Sequence, residues 1–167
     1  GYARHADITW DQPADAGLHL VKVYRSTDGK NFQPVGVQQP GINRYSDYTS
    51  VTGKKYFYRI ACLNRDYTET RLSNTVSVST REMTDEELLT MVQEASFRYY
   101  WEAAESNSGL ARENISGRKD MIATGASGFG LMALVAGTER RFITRTQAVN
   151  RFLKILRFLE QADRFHG

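Results

Sequence analysis

Apolar and polar positions alternate with a period of two through the first 80 residues, and the period then lengthens. Ile8 and Trp10 flank a polar residue before Gln12-Pro13-Ala14-Asp15 breaks the run. Leu18, Leu20, Val21, Val23 and Tyr24 make a second strand, ended by Thr27-Asp28-Gly29-Lys30, a hairpin turn signal. Phe32, Val35 and Val37 follow, stopped by Gln39-Pro40-Gly41, and Arg44–Thr49 is a short strand. Lys55–Asn64 sets Tyr56, Tyr58, Ile60 and Cys62 on one face, and Leu72–Thr80 sets Leu72, Asn74, Val76 and Val78 in phase. About six short strands, with turns every ~8–12 residues, predict a β-sandwich rather than a parallel sheet.

The period changes at Ser79–Thr84. Thr84 followed by Asp85, Glu86 and Glu87 reads as an N-cap with acids in the first turn, where they complement the helix dipole. Leu88, Val92, Ala95 and Tyr99 then recur at helical spacing, with Leu89, Met91 and Trp101 widening the stripe, and the helix is expected to end near Ser106–Gly109. A second helix is expected from about Ser127, capped by that serine, to Gly137 at C′. Its Phe129, Leu131, Met132, Leu134 and Val135 make it apolar nearly all round. Thr144 caps a third helix with a stripe of Ala148, Phe152, Ile155 and Leu159, widened by Val149, Leu153, Leu156 and Ala162. Three such faces cannot satisfy one another, so the helical part is expected to open a larger α-domain and to be poorly stable or oligomeric alone.

Between the first two helices lies Ser108–Gly130, rich in glycine and dense in Arg112, Glu113, Arg118, Asp120, Thr124 and Ser127. Loops of this composition carry function more often than packing does. The other reading is a connector with ordinary surface charges. The glycines at 125–130 do not follow a strand, which removes a phosphate-binding reading.

Composition narrows the classes. With 22 Lys plus Arg against 19 Asp plus Glu, the net charge is +3, which does not announce a nucleic-acid binder. No apolar run approaches the ~20 residues of a membrane span, and no leader pattern opens the chain. The chain enters a strand almost at once, which reads as a processed start, so the missing leader does not argue for the cytosol. The single cysteine, Cys62, excludes an internal disulfide and falls in phase with core residues, as an inert thiol does. No cluster has metal-ligand spacing, so neither a metal site nor a cofactor is expected. Tyr45, Tyr48 and Tyr67 are candidates for glycan or protein binding, with loop packing as the alternative.

Two resemblances sharpen these expectations. Ile8-Thr9-Trp10-Asp11-Gln12-Pro13 and Tyr56-Phe57-Tyr58-Arg59-Ile60-Ala61 resemble the second and sixth strands of a fibronectin type III domain, with Trp10 in the core and Tyr56 at the tyrosine-corner position. Little chain precedes Ile8, so the usual first strand is expected to be short or absent and the edge open. Four further stretches resemble the start of the bacterial glycoamylase-like family: Glu94–Trp101, Ser108-Gly109-Leu110-Ala111-Arg112-Glu113, Thr124–Gly130, and Ala162-Asp163-Arg164-Phe165-His166-Gly167. That family includes endo-β-1,2-glucanases and is built as an (α/α)6 toroid.

The resemblances imply a fibronectin-like sandwich over 1–81, then an incomplete toroid segment of about three helices over 82–167. They imply a secreted, cell-surface or periplasmic parent hydrolysing a β-linked glucan, β-1,2-glucan first. The catalytic acids of that family lie beyond the position matching Gly167, so none is assigned here. The chain is expected to be inactive alone, and to associate with the remaining portion or with itself. Arg112, Glu113, Asp120, Thr124, Ser127, Arg164 and His166 map to the floor and rim of the sugar cleft. Arg112 and Glu113 pair donors with a carboxylate acceptor, which suits sugar hydroxyls or a helix-linking salt bridge. Asp120 reads as a sugar acceptor or a turn cap, Thr124 and Ser127 as ligand hydroxyls or helix caps, and Arg164 and His166 as subsite groups or helix-end cations. The competing reading of the whole is a non-catalytic carbohydrate- or protein-binding module.

Overall fold

The computed structural model describes residues 1–11 and 17–163. The Gln12–Asp15 strand break and the candidates Arg164 and His166 lie outside the described residues. The chain forms two compact units, 1–84 and 85–167.

Among the described residues the first unit has seven strands: β1 His5–Thr9, β2 Leu20–Ser26, β3 Gln33–Gln38, β4 Arg44–Tyr48, β5 Lys55–Leu63, β6 Glu69–Leu72 and β7 Val76–Ser79. β1 pairs antiparallel with β4 in one sheet, and the other has the order β3-β2-β5-β6, with β7 also on β5. This is the two-sheet arrangement of a fibronectin type III-like sandwich. The alternation in β5 places Tyr56, Tyr58 and Ile60 inward, against Ala6 and Ile8 of β1 and Val21 and Val23 of β2, and Cys62 is buried too. Ala61 and Leu63 are buried as well. Trp10 packs partly buried against this core.

The last strand departs from the expected pattern. It is split between β6 and β7, and Ser73 spans the gap by donating its backbone N–H to Ile60 O at 2.9 Å and accepting from Ile60 N at 3.0 Å. Leu72 and Val76 are about half exposed instead of inward. They line, with Ile8, Trp10, Tyr58 and Ile60, an open cleft of about 600 Å³. Among the described residues β1 pairs with β4 alone.

A buried ion ties the sheets together. Asp47 of β4 accepts from Arg25 Nη1 of β2 at 2.9 Å and from Tyr58 Oη of β5 at 2.7 Å. Burial and the Asp47 carboxylate both push the Tyr58 hydroxyl well above the ordinary tyrosine range, so it stays a donor.

The second unit has three helices, α1 Asp85–Trp101, α2 Thr124–Glu139 and α3 Arg145–Gln161. Acids fill the first turn of α1 as expected. Its buried residue is Phe97, whereas Leu88, Leu89 and Val92 of the expected stripe are about half exposed. α2 runs beyond Gly137, and its stop is a Schellman arrangement. Arg141 takes φ +61°, and Arg141 N and Phe142 N donate to Thr138 O and Gly137 O at 3.1 and 2.8 Å. Gly137 serves a different purpose: a methyl on it would overlap the Phe97 ring. α3 opens with the expected Thr144 cap, extended to a capping box in which Thr144 Oγ1 accepts from Gln147 N and Gln147 Oε1 accepts from Thr144 N.

The core of this unit joins Phe97, Leu110, Leu134, Ile143, Ala148 and Ile155. Outside it, Phe129, Met132 and Val135 on α2 and Leu153 and Leu156 on α3 stay exposed, Phe129 by 72%. The all-round apolar character of α2 therefore does not translate into burial within these residues.

Two stability outcomes follow. Asp47→Asn leaves Arg25 without its counter-ion and is expected to cost the sandwich about 2 kcal/mol in urea unfolding. Gly137→Ala gains helix propensity but must displace the buried Phe97 ring, and is expected to lower helical-unit stability by about 1–3 kcal/mol in thermal unfolding.

Candidate functional site

The 22 residues between α1 and α2, Glu102 to Ala123, fold back on themselves because their polar groups bind their own backbone. At the end of α1, Glu105 caps the turn: its carboxylate accepts from Asn107 N at 2.8 Å and Ser108 N at 2.6 Å. Burial opposes the charge, but these bonds from Ser108 and Asn107 outweigh it and hold the carboxyl below the usual glutamate range. Gly109 then takes φ +78°, a left-handed conformation, and packs against the Arg151 stem. The Arg151 guanidinium lies 4.3 Å over the Trp101 ring and donates to Trp101 O at 3.1 Å.

Beyond this turn the chain makes a small antiparallel bridge, Arg112 with Ile122. Glu113 N donates to Met121 O at 3.0 Å and Ala123 N to Ala111 O at 3.1 Å. Residues 113–121, which close this bridge, are all exposed. The Tyr99 hydroxyl of α1 donates to Arg112 O and holds the bridge against the helix.

The predicted site residues divide within this frame. Arg112 spends its guanidinium on the loop itself, donating from Nε to Ala103 O at 2.8 Å and from Nη2 to Ile115 O at 3.1 Å. It is a backbone clamp. Ser127 does not cap α2, which begins at Thr124 after the N-cap Ala123. Its Oγ instead accepts from Ala111 N at 3.2 Å, fastening the loop to the first turn of α2. Glu113 and Thr124 are exposed at the base of the loop. Asp120 projects into solvent, held by Arg118 at 2.7 and 3.1 Å. That guanidinium keeps its carboxyl below the usual carboxylate range. The base thus gathers Arg112, Glu113, Thr124 and Ser127, and Asp120 stands apart from them.

Sequence reasoning missed the residues that hold the loop: Tyr99, Glu105 and Lys154, whose Nζ donates to Ser106 O at 2.6 Å. The available signal was Glu105, three residues before Ser108 at a helix end, an acceptor for free amides there. Among the described residues no group of three His, Cys, Asp or Glu side chains can hold a metal ion, and no helix is long and apolar enough to cross a membrane.

No family model matches the chain. A curated relative matches almost all of it: the exo β-1,2-glucooligosaccharide sophorohydrolase (non-reducing end) of Parabacteroides distasonis is 58% identical over 166 residues, 99% of this chain. The crystal structure of a β-1,2-glucanase from Parabacteroides distasonis covers the same 99% at 58% identity, with a TM-score of 0.91. Over 99% of its length this chain is similar to part of a β-1,2-glucanase. It spans about a quarter, 23%, of the length of both relatives. Across 50% of its length it is also similar to the sixth fibronectin type III domain of human fibronectin type III domain containing protein 3, at 18% identity and a TM-score of 0.41, covering 77% of that chain.

The Glu105 cap gives the loop a pH response. A carboxyl whose folded pKa is depressed contributes stability above its unfolded value, about 4.3, and that contribution fades as pH falls through the folded value. Amide exchange at Asn107 and Ser108 should accelerate, relative to the rest of the unit, below pH 4. Glu105→Gln should flatten that dependence.

Proposed function

We propose that this chain is a portion of a glycoside hydrolase acting on β-1,2-glucan. The observation that carries the reading is the 58% identity across 99% of the chain to a sophorohydrolase that acts on β-1,2-glucooligosaccharides. The sandwich serves as an accessory module, with the boundary at 81–84, and the helices are the first of an (α/α)6 toroid. The exposed Leu88, Val92, Phe129, Met132, Val135 and Leu156 support that reading, since each faces solvent on an otherwise ordered helix. Further helices of the longer protein cover them, and a second copy substitutes when the chain is alone. The parent acts outside the cytoplasm, at the cell surface or in the periplasm.

In this reading the loop is part of the floor and rim of the glucan cleft. Arg112 and Ser127 give it shape by binding backbone. Glu113 and Thr124 are the groups free to meet sugar hydroxyls, Asp120 offers what its pair with Arg118 leaves, and Arg164 and His166 are assigned to the same cleft by the family resemblance alone. Hydrolysis needs one carboxylic acid to protonate the leaving oxygen and a carboxylate to activate water. Both come from the remainder of the parent, so this portion binds and the whole cleaves.

Reducing-sugar release from linear β-1,2-glucan tests this. The isolated chain should release none, and the longer protein should release sophorose-sized products. Hydrolysis by the isolated chain would assign proton transfer to Glu113 or Asp120 and overturn the division of labour. Silence from both on β-1,2-glucan would overturn the substrate.

A further inference from the structure

We propose that the turn between β5 and β6 is a sugar-docking site, in which the Tyr67 ring stacks against a pyranose of a β-linked gluco-oligosaccharide. The ligand class rests on the functional reading above; the site rests on its own geometry.

Tyr67 takes φ +60°, the left-handed conformation that a glycine adopts freely and a bulky side chain resists. The turn imposes it. Asn64 Oδ1 accepts from Asp66 N at 3.1 Å and Thr68 N at 2.9 Å, Tyr67 N donates to Asn64 O at 3.0 Å, and Asn64 N donates to Thr68 O at 3.1 Å. Backbone outliers of this kind cluster at ligand-binding and active sites. The tyrosine gains little burial in return: it is 65% exposed. It meets His19 in a T-shaped contact, centroids 5.4 Å apart and planes at 80°. Such a contact occupies at most one face of either ring, so a face of Tyr67 stays open.

The surroundings select for a neutral, hydroxyl-rich ligand. Arg65 and Asp66, both exposed on the same turn, offer donors and acceptors whose charges cancel. Glu69 is already engaged by Lys22 and Tyr24, so it adds no free charge. An apolar ring beside balanced polar groups matches a pyranose, which has an apolar C–H face and a hydroxyl rim.

The other tyrosines do not compete. Tyr45 packs on the core and donates its hydroxyl to Val35 O at 2.6 Å. Tyr48 is exposed, but it lies within β4 in register with His5, in a conformation that asks nothing unusual of the backbone.

The test is affinity electrophoresis of the 167-residue chain in β-1,2-, β-1,3- and β-1,4-glucan gels, with thermal unfolding of each variant. The chain should be retarded in at least one gel. Tyr67→Ala and Tyr67→Gly should weaken binding about fivefold or more, and Tyr67→Phe should stay within about twofold. Because glycine relieves the backbone, Tyr67→Gly should unfold at the same temperature or higher. No retardation of the parent chain, a glycine variant that binds as the parent does, a phenylalanine variant as weak as alanine, or a glycine variant that loses stability together with binding would each overturn the site. Tyr67-dependent retardation only in β-1,3- or β-1,4-glucan keeps the site and removes the β-1,2 substrate. Retardation in β-1,2-glucan that ignores Tyr67 does the reverse.

Discussion

The absence of a side chain at Gly137 fixes the helical unit. Without that gap the Phe97 ring could not settle onto α2, and the same ring also meets Trp101 at 6.2 Å and Phe142 at 5.7 Å. Trp101 is in turn covered by Arg151 of α3. One close approach thus draws all three helices together, at the C-terminal ends of both α1 and α2. The chain leaving α1 reaches α2 through the loop 102–123. Glu105, Arg112, Tyr99 and Ser127 turn that route into a defined shape by satisfying backbone groups that helix ends leave open.

The sandwich meets a similar shortage of cover with a different device. With β1 paired to β4 alone among the described residues and β6–β7 interrupted, the apolar layer between the sheets borders an open cleft. Asp47, Arg25 and Tyr58 cross that layer with directional bonds. A buried ion of this sort adds less to stability than an apolar contact of equal volume, but each partner becomes costly to lose. It fixes which face of β4 meets β2 and β5, which a sparse apolar layer alone leaves loosely specified.

How much of this was legible depended on whether a residue acts through periodicity or through a contact. Period two located the strands, and the inward face of β5 from Tyr56 to Ile60 followed directly. Thr144 announced its own cap, while the Gln147 half of the capping box went unread although both partners lie within four residues. Period 3.6 found α1 but chose the wrong face: Leu88 and Val92 scored as apolar stripe, while Phe97 carries the packing. A stripe says which residues want cover, and it is silent on which cover the rest of the chain supplies. Gly137 likewise read as a helix stop, since glycine at C′ and glycine under an aromatic ring look the same in a string of letters. The fibronectin-like and glycoamylase-like patterns gave the order of sandwich and helices. They did not tell that Arg112 binds carbonyls or that Ser127 reaches Ala111, because those partners lie across a fold.

The chemistry of the loop follows from how its polar groups are spent. A glycosidic acid must stay protonated near neutral pH, which requires apolar surroundings that raise its pKa. Asp120 is driven the other way by Arg118, in full solvent, and Glu105 is driven the same way by the amides it caps. Arg112 and Ser127 are committed to backbone. What the loop has left to offer a ligand is hydrogen bonding from Glu113 and Thr124 on a rigid base. Under the proposed function, such a surface orients a sugar without activating it, and orientation is what the rim of a cleft contributes when the proton donors stand on other helices.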